Sequence, residues 1–142
     1  MSARMDGWRP GSGLLPPPGT RLAERTFGQS DLPAIRRLAA AFGARAGIEA
    51  RRHADFVLAV SEAAACALAY GPCSATLRLW TAGTRALGEI HADEMLLLQG
   101  AHGVRQDGAE TLRRWILRQV CDDVSVQPGP HGVTVRFSVV LT

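Results

Sequence analysis

The sequence predicts an α+β fold, a two-layer α/β sandwich in which three helices cover one face of a mixed or antiparallel sheet. Three stretches repeat apolar residues at intervals of three and four, which is typical of helices with one buried face. Two further stretches alternate apolar and polar residues on either side of a glycine-containing turn, which indicates β-hairpins. The length of 142 residues suits one hydrophobic core of this kind.

The first segment, residues 1–20, is predicted to be a flexible N-terminal arm. Glycine, proline and serine are frequent in it and large apolar side chains are few. Such a stretch gains too little from burial to offset the entropy that it loses on ordering. It also lacks the continuous apolar run of a secretory signal. We therefore expect the folded domain to span residues 21–142.

The first half of this domain is predicted to hold one strand and two helices. The strand spans residues 21–27, and the polar side chains before Leu32 can cap a helix that ends near Gly43. The second helix spans residues 50–70 and is almost wholly apolar, with a run of alanines that lets neighbouring backbones approach. Such a helix must lie at the centre of the packing.

The second half is predicted to hold two hairpins, separated by a long loop and a third helix. These elements are strands at 74–81 and 86–91, a loop from Asp93 to Gly108, a helix at 109–121, and strands at 124–126 and 133–141. The inner side of the third helix is predicted to consist of Leu112, Trp115, Ile116, Gln119 and Val120. The last strand is predicted to direct a row of apolar side chains to one face, namely Val133, Val135, Phe137 and Val139.

Composition and charge argue against several classes of function. The net charge is +3, and the basic residues, all of them arginine, are scattered among acidic ones, so no direct nucleic-acid binding is expected. The apolar runs are far shorter than the roughly 20 residues of a membrane span, so we expect a cytoplasmic protein with no membrane association. The three cysteines are widely spaced and predict buried thiols, and the four histidines have no metal-ligand spacing.

Two stretches of the chain carry a resemblance to a known family. Residues 58–71, reading LAVSEAAACALAYG, are similar to a helix that reads approximately L-A-V-x-E-L-x-x-N-A-x-x-H-G. Residues 114–137, reading RWILRQVCDDVSVQPGPHGVTVRF, are similar to a last helix and hairpin with a Gly-Thr-x-V pattern near the turn. Together, and in this order, they resemble the GHKL (histidine-kinase-like) ATPase domain in its bacterial branch of anti-sigma-factor switch kinases, from about Arg21 onward.

The resemblance implies a nucleotide site, and the chain departs from it on the second helix. In the family an asparagine there coordinates Mg²⁺, which neutralises the ATP phosphates, and a glutamate one turn earlier positions the attacking group. Glu62 matches that glutamate, but Cys66 stands in place of the asparagine. A neutral thiol is a poor ligand for a hard cation.

Two further features of the family are absent or displaced. The aspartate of a D-x-G turn, which recognises adenine, falls on Ala92, or one place late on Asp93, and the glycine position is Glu94. The G-x-G-L turn that binds phosphates aligns with residues 111–114, which contain no glycine. By the resemblance, the former nucleotide pocket would be lined by Glu62, Cys66, Ala92, Asp93 and Thr134.

Three of the four family features are absent or displaced, so we expect a pseudo-ATPase or pseudokinase that binds no cofactor. Its expected function is that of a regulatory protein-binding module that resembles an anti-sigma factor. The family implies a homodimer and a partner of the sigma-factor or anti-sigma-antagonist type, with the first helix and the loop at 93–108 as expected surfaces. One alternative is an active ATP- and magnesium-dependent serine/threonine kinase, in which Glu62 is the catalytic base and Asp93 binds adenine. Another is a small-molecule sensor that uses the emptied pocket.

Overall fold

The computed structural model describes residues 22–68, 74–92, 108–129 and 132–142, without the side chains of 108–111 and 128–129. Its elements are β1 (Leu22–Phe27), a 3₁₀ turn (Gln29–Asp31), α1 (Leu32–Ala46), α2 (Ala50–Leu68), β2 (Ala75–Ala82), β3 (Arg85–Ala92), α3 (Gly108–Val120), β4 (Asp123–Gly129) and β5 (Gly132–Val140). The strands form an antiparallel sheet in the order β1-β2-β3-β5-β4. The predicted α+β class is confirmed, with the antiparallel form of the sheet. The predicted arm at 1–20 lies outside the described residues.

Helix α1 begins and ends where local hydrogen bonds satisfy its terminal backbone groups. The Gly28 N–H donates to Asp31 Oδ2 at 2.9 Å ahead of the helix. At the other end the Gly47 N–H donates to carbonyl groups of the last turn, and Gly47 has a φ of 79°, the left-handed conformation that ends a helix. The helix continues past the predicted end near Gly43, because that glycine stays helical and its missing side chain gives room to His53.

Helix α2 lies at the centre of the core, as its composition predicts. Many of its fully buried side chains are small, namely Ala59, Ala63, Ala64 and Ala67. The strands contribute alternate residues to the same cluster, among them Leu77, Ile90, Val135 and Phe137. Helix α1 packs beside α2, where the rings of Phe42 and Phe56 stack with centroids 6.1 Å apart. No helix within the described residues is long and apolar enough to cross a membrane.

Helix α3 is rotated relative to its predicted orientation. Leu117 is fully buried and packs into the core. Three residues predicted on the inner side are exposed instead: Leu112, Trp115 and Gln119. This part of the prediction is wrong, because the helix carries two apolar stripes on roughly opposite sides and the stripe through Leu117 is the one that packs.

Gly88 leaves room on β3 for the ring of Phe137, its partner on β5. A Cβ atom on Gly88 would lie 2.7 Å from both Cε atoms of that ring and closer still to Cζ. Phe137 is fully buried, so the ring is held in place by the surrounding core. The absence of a side chain at this position is therefore a packing requirement.

Replacing this glycine (Gly88→Ala) is expected to lower the free energy of unfolding by about 1–3 kcal/mol, because the added methyl group overpacks the core. Urea unfolding followed by far-UV circular dichroism measures the change. The matched comparison adds the same alanine to a Phe137→Leu background, where a smaller side chain faces it and the cost should fall. An equal cost in both backgrounds would contradict the contact.

Candidate functional site

Glu62, which the resemblance predicts as the catalytic glutamate, lies on α2 and is half-buried. Within the described part of the chain its carboxylate forms no hydrogen bond and no ion pair. The preceding residue, Ser61, accepts a hydrogen bond from Arg36 Nε at 3.1 Å. The residue predicted as a catalytic base therefore lacks a described partner that would orient it.

Two of the positions that the resemblance assigns to magnesium and adenine, 66 and 92, are occupied by core residues. Cys66 lies one turn after Glu62 and is fully buried, and Ala92 at the end of β3 is fully buried as well. Both belong to the main hydrophobic cluster, in which Val133 pairs with Ala92. A thiol and a methyl group supply no hard oxygen ligand for a cation. This junction between helix and sheet is thus packed apolar surface.

Thr134, predicted to line the same pocket, lies on the other face of the sheet. Its Oγ1 atom is 3.0 Å from Nδ1 of the exposed His91, within hydrogen-bond distance. The core-facing residue beside it is Val133. The structure therefore brings Cys66 and Ala92 into one cluster and places Thr134 away from them, while Asp93 lies outside the described residues. The alternation along the last strand already predicts this arrangement, since it assigns Val133 to the core.

The start of α3 has arginines where the family has its phosphate-binding turn. Arg113 and Arg114 are half-buried and Arg118 is exposed, while the side chain of Thr111 lies outside the description. Among the described residues, no group of three or more histidine, cysteine, aspartate or glutamate side chains is placed to hold a metal ion. Four of the residues predicted to line the nucleotide pocket are described: Glu62, Cys66, Ala92 and Thr134. Among these four, Glu62 is the one with a carboxylate.

The two described cysteines differ in burial. Burial, together with the negative charge of Asp122, raises the pKa of the Cys121 thiol to about 12, which disfavours the reactive thiolate. Cys66 is fully buried and belongs to the main hydrophobic cluster. Cys66 confirms the predicted buried thiol, and Cys121 is half-buried.

The face of the sheet that points away from the helices, termed the outer face, carries a row of ion pairs. Four adjacent strands contribute one charged residue each at matching register, and these residues are termed the charge ladder: Glu24, Arg78, Glu89 and Arg136. Arg78 Nε lies 2.7 Å from Glu24 Oε2, and Arg136 Nε lies 2.6 Å from Glu89 Oε2. Arg78 Nη1 links the two pairs at 3.8 Å from Glu89 Oε1. Exposure falls from Glu24 to Arg136, so the Glu89–Arg136 pair is the desolvated one.

A second row on the outer face contains apolar residues. Trp80 pairs with Leu87, and Leu87 pairs with Ser138. Trp80 is 3% exposed and Leu87 is 2% exposed, yet neither belongs to the cluster between helices and sheet. Beside this row Arg85 Nη1 donates to Ser138 Oγ at 2.8 Å. The sequence pattern did not indicate these residues, because alternation along β2 describes one buried face and this row lies on the other.

An exposed stripe on α3 is the third feature of note. Leu112 is 56% exposed and Trp115 is 58% exposed, one helical turn apart, and Arg118 follows one turn later. These three residues are termed the α3 stripe. Tryptophan and arginine are enriched among the residues that dominate binding energy at protein interfaces, and large exposed apolar side chains often mark such contacts.

The sequence was compared with protein-family models and with curated proteins. No protein-family model matches the chain. A search of curated proteins likewise finds no match to its sequence. The resemblance to the GHKL family therefore rests on the two stretches quoted above and on the order of the elements.

Removing the cation of the desolvated pair (Arg136→Met) is expected to lower the free energy of unfolding by about 3–5 kcal/mol, because the carboxylate of Glu89 is left buried. The matched control is Arg78→Met, which removes the more exposed arginine of the same ladder and should cost about 1 kcal/mol or less. Urea unfolding measures both values. Equal costs for the two variants would contradict the difference in desolvation along the ladder.

Proposed function

We propose that the chain is a regulatory protein-binding module of the anti-sigma-factor type, in which an ATPase-like or kinase-like scaffold acts through contact with another protein. The α3 stripe carries the proposal. A leucine and a tryptophan that are more than half exposed on one helix leave apolar surface in water, and a partner groove would remove it. Spacing of three residues between Leu112, Trp115 and Arg118 suits a helix that lies in such a groove.

The packing at the expected nucleotide positions supports a role without nucleotide chemistry. A magnesium-bound triphosphate needs an oxygen ligand near Cys66, and adenine needs a polar partner at position 92 or at Asp93, which lies outside the described residues. Positions 66 and 92 are fully buried among apolar residues. The scaffold is then retained for its surface, as a pseudo-ATPase or pseudokinase.

The resemblance supplies the type of partner. It implies a cytoplasmic sigma factor or an anti-sigma antagonist, and a homodimer of this chain. Arg118, exposed at the end of the α3 stripe, favours a partner groove with an acidic rim. Helix α1 and the loop at 93–108 are further expected surfaces.

Calorimetric titration of the full chain with Mg-ATP is expected to give no saturable heat, because the oxygen ligand for magnesium is missing. Glu62→Gln serves as the matched control and should give the same trace. Saturable binding by the unsubstituted chain that weakens in Glu62→Gln would instead support the active kinase.

The α3 stripe is tested with a double substitution, Leu112→Ala/Trp115→Ala. A partner is first identified by mass spectrometry of proteins that co-elute from the native host, and its affinity for the purified chain is then measured. The double variant should weaken binding by roughly 30-fold or more, since a hot-spot residue contributes about 2 kcal/mol. The control, Leu22→Ala, removes a side chain of 48% exposure from β1 and should leave the affinity unchanged. An unchanged affinity in the double variant would move the interface away from α3.

A further inference from the structure

Six residues of the outer face are buried, although the described helices all pack on the opposite face: Trp80, Arg85, Leu87, Glu89, Arg136 and Ser138. Trp80 is 3% exposed, Leu87 is 2% exposed and Arg136 is 1% exposed. The cluster that joins helices and sheet does not include Trp80 or Leu87. An uncovered face of an antiparallel sheet leaves its side chains in contact with water. Burial to this degree therefore requires a segment that covers part of the outer face.

Burial on the outer face is confined to one end of the sheet. At the end where β3 finishes, the outer-face residue His91 is exposed. At the other end, Trp80 pairs with Leu22 on one side and with Leu87 on the other. The cover must therefore lie near the start of β1.

Of the chain segments outside the described residues, the one that joins the sheet at this covered end is the N-terminal segment. Residue 21 directly precedes Leu22, the neighbour of Trp80 on β1. The ranges 69–73, 93–107 and 130–131 join the strands at the opposite end, where the residues next to them are Ala75, Ala92 and Gly132. We propose that residues 1–21 dock on the outer face and cover Trp80 and Leu87.

The length and the charge of this segment fit the surface. An extended chain of 21 residues reaches roughly 60–70 Å, many times the spacing of about 4.8 Å between neighbouring strands. Residues 10–20, reading PGSGLLPPPGT, carry no charged side chain. This suits a face on which the charges of Glu89 and Arg136 are already paired with each other. The charged side chains of residues 1–21 are Arg4, Asp6, Arg9 and Arg21, so residues 10–20 are the part that leaves this pairing intact.

The side chains of the segment indicate how it docks. Leu14 and Leu15 supply apolar surface for contact with Trp80 and Leu87, the buried apolar residues described on the outer face. The run 16–18 is three prolines, which have no N–H groups and therefore cannot extend the sheet as a further strand. Residues 16–18 therefore contact the face through their side chains and not as a further strand of the sheet.

Docking has a physical consequence for the outer face. The cover excludes water from the Glu89–Arg136 pair, which strengthens the attraction between the two charges. It also occupies the apolar surface at Trp80, so that another protein reaches this surface only by displacing the segment. The α3 stripe lies in the other layer, so failure of the proposed function leaves this docking untouched.

The test uses the fluorescence of Trp80 in the full chain. Trp8→Phe and Trp115→Phe leave Trp80 as the only tryptophan. In this background, Leu14→Asp/Leu15→Asp should detach the segment, because two carboxylates cannot be buried without partners. We expect the acrylamide quenching constant of Trp80 to rise several-fold and its emission to shift to the red.

The matched control is Leu96→Asp/Leu97→Asp, which places the same charges in the range 93–107 and should leave Trp80 protected. Far-UV circular dichroism reports on the fold of each variant. If the charged variant at 14 and 15 loses this signal, Leu14→Ala/Leu15→Ala replaces it and should raise quenching by a smaller factor.

Two results would overturn the proposal. One is a quenching constant that stays unchanged in both substitutions at 14 and 15, or that rises in the control alone. The other is protection of Trp80 that disappears when the unsubstituted chain is diluted, since that behaviour indicates a second copy of the chain as the cover.

Discussion

The buried ion pair between Glu89 and Arg136 fixes how the two central strands of the sheet meet. Glu89 is 7% exposed and Arg136 is 1% exposed, and a charge in such surroundings is stable only when it is paired. A shift of β5 by one residue against β3 would turn Arg136 toward the helices and separate the two charges. The register of β5, and with it the row of apolar residues that β5 presents to the core, depends on this contact.

This register places small residues of β3 beneath α2. Ala86 and Ala92 face an alanine-rich helix, so helix and sheet approach closely. Cys66 and Ala92, two positions that the resemblance assigns to a nucleotide site, are part of that cluster. An asparagine at position 66 would bury an amide in an apolar environment and cost several kcal/mol unless it found partners. The small, weakly polar side chain of Cys66 therefore suits the close packing.

The position and the buried face of an element could be predicted from the sequence wherever its apolar residues form a single stripe. Helix α2 has one wide apolar face, and its position and burial are as predicted. Helix α3 has two apolar stripes, and only contact with the core selects the one through Leu117. The face on which Thr134 lies follows from strand alternation, whereas the resemblance grouped Thr134 with Cys66 and Ala92. The burial of Trp80 and Leu87 could not be predicted, because it depends on which strands are neighbours and on what covers the outer face.

The α3 stripe and the covered part of the outer face lie in different layers, and this separation limits how one can influence the other. Helix α3 contacts β4 at the edge of the sheet, whereas Trp80 lies on β2. A movement of β4 reaches the outer face through Arg85, whose Nη1 is 3.2 Å from Asp123 Oδ2, and through the pairing of β4 with β5. A second route runs through α2, on which α3 packs and which contacts β3 and β5 from the core side. Coupling between the two surfaces therefore requires a movement of β4 or of α2, since both of these elements join α3 to the sheet.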